Sequence, residues 1–153
     1  MSMPTYPTPV DTARRFIDAI VWGEHLIVWE LLSPMARRAA IAIAERNGHD
    51  VLASARARNG TWTPQEADQL LGDLVRGLRV DLAAVDPAAI LVGEATTLVG
   101  PTGLMATVEL TVPSLLPPAL TGGDDWAAGH IELVETDAGW LVERLVSRRA
   151  QKG

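Results

Sequence analysis

The spacing of apolar residues changes part-way along the chain. From residue 8 to about 85 they recur at three- and four-residue intervals, the period of helices lying on a core. From 89 to 147 they alternate with polar residues in short runs, the period of half-buried strands. Helices first and strands after predict an α+β domain whose N-terminal helices cover one side of a curved antiparallel sheet of about four strands.

The helical half carries explicit start and stop signals. Thr8-Pro9-Val10-Asp11 places a cap, a proline at the first helical position and an acid suited to a capping box. Val10, Ala13, Phe16, Ile17 and Ile20 then form one apolar face, and Gly23 ends the helix. A short second helix is expected over His25–Leu32, with Leu26, Trp29 and Leu32 on its core side. Ser33-Pro34 opens a third, Ala-rich helix that Asn47-Gly48 terminates. Residues 49–60 read as no more than a loose helical turn. Thr63-Pro64-Gln65-Glu66 repeats the start signal ahead of a stripe that includes Leu70, Leu71, Leu74, Val75 and Leu78. Gly72 and Gly77 each cost that helix about 1 kcal/mol relative to alanine, which suggests close packing on a neighbour. Asp86-Pro87 stops the helical half.

Strands are expected over 89–99, 103–112, 126–136 and 139–147. The turns Pro101-Thr102-Gly103 and Asp137-Ala138-Gly139 make antiparallel hairpins of the flanking pairs. The connection 113–125 is long, and its prolines keep Leu115, Leu116 and Leu120 out of a sheet interior, so it is expected to act as a hydrophobic flap. Residues 1–7 and the basic stretch 148–153 read as tails on a single domain, 8–147.

Composition narrows the function classes. The 153 residues are 48% apolar, enough for a genuine core, and carry a net charge of -6, which argues against a nucleic-acid face. There is no cysteine, so thiolate chemistry and disulfides are excluded. The first residues lack the basic start and apolar run of a signal peptide, and no run approaches a membrane span. A cytoplasmic, soluble protein is the expectation, with no nucleic-acid or membrane partner. His25, His49 and His130 have no ligand spacing, so neither a metal nor another cofactor is expected.

The segments Ala13-Arg14-Arg15-Phe16-Ile17-Asp18-Ala19-Ile20, Val28-Trp29-Glu30-Leu31-Leu32-Ser33-Pro34 and Gly139-Trp140-Leu141-Val142-Glu143-Arg144-Leu145 carry a family likeness. With them the chain resembles the cone-shaped, cystatin-like α+β superfamily of ketosteroid isomerases, SnoaL-like polyketide cyclases, scytalone dehydratase and the nuclear transport factor 2-like proteins. The resemblance, over residues 8–147, implies a sheet curled around helices, a deep apolar pocket and pairing as a homodimer. Two features depart from it. Residues 34–62 look helical where members usually carry a hairpin, and the only tyrosine, Tyr6, lies in the tail and cannot hold an oxyanion in a pocket.

Strand alternation puts His130, Glu132 and Val134 on one face, with Glu109, Thr107 and Thr111 offered by the neighbouring strand and Glu94 and Thr96 beyond it. A histidine beside carboxylates suits acid–base work, while the same set on a solvent- or dimer-facing side would only be solvated. Indole dominates the aromatic inventory, with five tryptophans against one Phe and one Tyr. Trp22, Trp29 and Trp126, with Leu115 and Leu116 of the flap, are the expected lining of an apolar ligand cavity. Trp29 also fits a core position, His25 a cap or surface role, and His49 a surface loop. Three readings remain open: a cavity protein that binds an apolar small molecule without converting it, an isomerase, cyclase or dehydratase using His130 with Glu132 or Glu109, and a homodimeric interaction domain with a filled cavity.

Overall fold

The computed structural model describes residues 8–81, 90–101, 103–112, 126–137 and 139–147. The tails, the stop at Asp86-Pro87 and the flap with Leu115, Leu116 and Leu120 lie outside these residues. Five helices precede four strands: α1 (Pro9–Trp22), α2 (His25–Leu31), α3 (Pro34–Arg46), α4 (Val51–Asn59), α5 (Pro64–Asp81), β1 (Leu91–Gly100), β2 (Gly103–Val112), β3 (Trp126–Thr136) and β4 (Gly139–Ser147). The strands form one antiparallel sheet in sequence order, so the fold is α+β, as the change of spacing predicts.

Local chemistry sets the helix ends. Thr8 accepts from Asp11 N while Asp11 accepts from Thr8 N, each at 3.1 Å, completing the capping box of α1. At its other end Gly23 adopts φ 69°, a conformation that glycine takes without a Cβ penalty. Arg79 of α5 closes the remaining α1 carbonyls, donating to Ile20 O at 3.0 Å and to Val21 O at 2.9 Å.

The sheet buries one face against α1 and α2. Alternation presents Ala106, Val108 and Leu110 of β2, Ile131 and Leu133 of β3 and Val142 of β4 to the helices, and all six are fully buried. Phe16, Ile17 and Ile20 of α1 and Val28 of α2 fill the space above them. A bulge between Glu132 and Leu133 shifts the β3–β4 register, so that Leu145 as well as Val142 packs toward the core. The α2–α3 junction is tied to the sheet edge by a parallel bridge from Leu32 to Val142 and by Ser33 N donating to Val142 O at 2.8 Å.

A satellite cluster of Ile41, Ala57, Leu70 and Leu71 joins α3, α4 and α5. Two contacts fasten this layer. Thr63 and Glu66 form the capping box of α5, and the Glu66 carboxylate also takes a two-pronged grip from Arg56 of α4, with Nε at 3.0 Å from Oε1 and Nη2 at 2.6 Å from Oε2. These bonds, the Arg56 pair first and the Thr63 N–H second, lower the Glu66 pKa from 4.5 to about 2.

Three expectations need correction. Residues 51–59 form a regular helix, because Asp50 accepts from Ala53 N at 3.0 Å and Gly60 closes the far end at φ 71°. In α2 the core side is Val28 and Leu31, continued by Leu32, whereas Leu26 is 57% exposed and Trp29 half-buried. Val28, Leu31 and Leu32 themselves follow helical spacing, and Leu32 is joined to Val142 of β4. Finally, Gly72 and Gly77 mark no close packing, since a Cβ at either would meet nothing within 4 Å.

Gly72→Ala is therefore expected to stabilise the protein by about 0.5–1 kcal/mol, read as a raised urea midpoint at unchanged slope. The Glu66 carboxylate, its folded pKa depressed, contributes stability that is complete above the unfolded value and lost as pH falls through the folded one. Urea unfolding should thus show an advantage of the native chain over Glu66→Gln that is constant from pH 7 to about 5 and shrinks between 4.5 and about 2.

Candidate functional site

Two concave sites flank the satellite cluster. The first is a groove of about 530 Å³ between α3 and α5. Its apolar wall comes from Ala40, Ile43 and Ala44 of α3 facing Leu70, Leu74 and Leu78 of α5, and its rim from Asn47, His49, Gln69 and Asp73. The helical period that buries Ile41 leaves Ile43, two residues on, 49% exposed at the groove edge. His49, expected in a surface loop, is half-buried here, its backbone N–H held by Ala44 O at 2.9 Å.

The second site is a cleft of about 430 Å³ between the start of α3 and the end of α4. Trp29 and Trp62 meet there with ring centroids 5.3 Å apart and planes tilted by 45°. Ile41 and Ala57 lie at its base, and Arg37, Arg38 and Arg58 reach its lining. The Arg37 guanidinium stands 5.4 Å from the Trp29 ring, a cation–π arrangement, with Nε donating to Trp29 O at 3.0 Å. Arg58 is paired with Glu45 at 2.6 Å.

Of the two expected lining residues whose side chains are described, Trp22 and Trp29, Trp29 reaches the cleft. Trp22 ends α1 and is 77% exposed, away from both. Trp126 begins β3, with its side chain outside the described residues, as are Leu115 and Leu116. Trp62, Arg37 and Arg38, which sequence reasoning passed over, complete the cleft. The available signal was the pair of arginines shortly after the Ser33-Pro34 helix start, where carboxylates are the favoured residues.

His130, Glu132 and Glu109 share the sheet face opposite the helices. Glu109 pairs with His130 and Thr107 with Glu132 across β2 and β3, while Ile131 and Leu133 point to the core. Arg144 approaches Glu132 at 4.0 Å. Thr96 joins this face opposite Thr107, and Glu94 falls in the bulge of β1 between Val92 and Ala95. The trio lines neither the groove nor the cleft. His25 bridges α2 to α5, with Nε2 3.1 Å from Asp68 Oδ1. Among the described residues no three His, Asp or Glu side chains converge as a metal site, and no helix is long and apolar enough to cross a membrane.

In comparisons with known proteins, no family model, no curated protein and no solved structure matches the chain. The functional reading therefore rests on the residues and their geometry.

Proposed function

We propose that this protein binds an apolar small molecule without converting it, and that the groove between α3 and α5 is the site. The observation that carries this reading is the groove itself: six apolar side chains from two facing helices line an open volume suited to a small ligand, beside Asn47, His49, Gln69 and Asp73. Separation supports binding over the isomerase, cyclase or dehydratase alternative, because the His130, Glu132 and Glu109 set occupies the far side of the sheet. The chain is proposed as a divergent member of the cone-shaped superfamily that it resembles, with its ligand site moved into the helical layer.

A second reading, pairing as a homodimer, is favoured by one feature of the sheet. Leu98, Met105, Val134 and Leu141 fall in register and make an apolar row across all four strands on the face opposite the helices. The next row, Thr96, Thr107, Glu132 and Arg144, carries opposite charges that offset each other. Such a face suits a second copy related by a two-fold axis.

Nile red, an uncharged apolar probe, is expected to bind and brighten. Ile43→Glu should weaken it at least about tenfold at nearly constant melting temperature, because it brings an unpaired charge to the groove wall. Undiminished binding by that variant would exclude the groove. For the dimer, light scattering at micromolar concentration should give twice the 16.4 kDa chain mass and fall to the single mass in Val134→Lys. A wild-type protein that is monomeric under those conditions would end this second reading.

A further inference from the structure

We infer that the cleft at Trp29 and Trp62 is a separate site for a small planar anion, of which an aromatic carboxylate is the simplest form. The N-terminal end of a helix carries partial positive charge and favours carboxylates, yet the first turn of α3 has no acidic residue and is followed by Arg37 and Arg38. In a chain with a net charge of -6 carboxylates are plentiful, but among the described residues none forms an ion pair with either arginine.

The partners of these arginines show what is missing. Arg37 caps the last turn of α2, donating to the carbonyls of Trp29 at 3.0 Å and Glu30 at 3.4 Å and lying against the Trp29 ring. Those contacts fix its position and offset part of its charge with the negative end of α2, without a carboxylate. Arg38 is exposed, and among the described residues no carboxylate forms an ion pair with it or with Arg37. Arg58, by contrast, is already neutralised by Glu45. The end of α4, which also borders the cleft, adds little opposing charge, because the N–H groups of Gly60 and Thr61 take the carbonyls of Ala57 and Arg56.

The remaining surfaces select the shape of the ligand. The two indoles touch each other, so a ring cannot slide between them and would lie against them, above Ile41 and Ala57. A neutral apolar molecule would leave Arg38 without a carboxylate, and a free inorganic anion would make no use of the indoles. A flat ring bearing one carboxylate satisfies both, with the planar guanidinium matching the carboxylate edge. The volume of about 430 Å³ admits a two-ring molecule.

The test is calorimetric titration of the full chain with 2-naphthoate and with uncharged 2-naphthamide at low ionic strength. Naphthoate should bind with a submillimolar constant, at least about tenfold more tightly than the amide. Arg38→Gln should weaken naphthoate about tenfold at unchanged melting temperature, and Arg38→Lys, which keeps the charge without the planar fork, should recover only part of the loss. The uncharged groove variant Ile43→Gln should leave naphthoate binding intact, which separates this site from the groove between α3 and α5. Equal binding of acid and amide, indifference to Arg38→Gln, loss of binding in Ile43→Gln instead, or no binding up to millimolar concentration would each overturn the inference.

Discussion

The structure depends on one burial: the helix-facing side of the sheet under the apolar stripe of α1. Val108, Leu110, Ile131, Leu133 and Val142 are removed from water in one cluster with Phe16, Ile17 and Ile20 of α1 and Val28 of α2. Each fully buried aliphatic or aromatic side chain contributes on the order of 1.5–3 kcal/mol, and no other cluster in the described residues gathers as many. Strand alternation sends every second residue to the other side of the sheet. His130, Glu132 and Glu109 are placed opposite the core by the same parity that buries Ile131 and Leu133.

The helical layer that carries both concave sites is a secondary structure in the energetic sense. Its cluster of Ile41, Ala57, Leu70 and Leu71 is small, and polar clamps complete it. Arg56 gripping Glu66 sets α4 against α5, Arg79 reaches from α5 to the end of α1, and the Leu32–Val142 bridge anchors the start of α3. Side chains between those clamps are only partly covered, which is why α3 and α5 leave a groove and why Trp29 and Trp62 remain half-exposed.

The two sites differ in the chemistry of their rims. In the groove, polar groups are sparse and mixed, so shape and apolar area dominate recognition. In the cleft, fixed positive charge stands beside indole rings in a protein that is acidic as a whole. A charge that the fold fixes beside an aromatic wall, with no carboxylate on it among the described residues, is more informative about a ligand than volume alone.

Much of the fold was legible in the residues by themselves. Thr8-Pro9, Ser33-Pro34 and Thr63-Pro64 begin helices because capping and the fixed φ of proline act within one turn. The strand bounds and the sidedness of His130 follow from a period of two, which needs no partner to be read. Short-range rules failed where a distant contact decided the outcome. The core side of α2 lies where Leu32 joins β4, and α4 has the Arg56–Glu66 clamp beside its own cap. Gly72 and Gly77 suggested close packing in a position where the neighbouring helix does not approach. The candidate sites were decided by tertiary structure alone, because Trp29, Arg37 and Trp62 come from three separate segments. Their meeting depends on how α2, α3 and α4 pack, which no local pattern encodes.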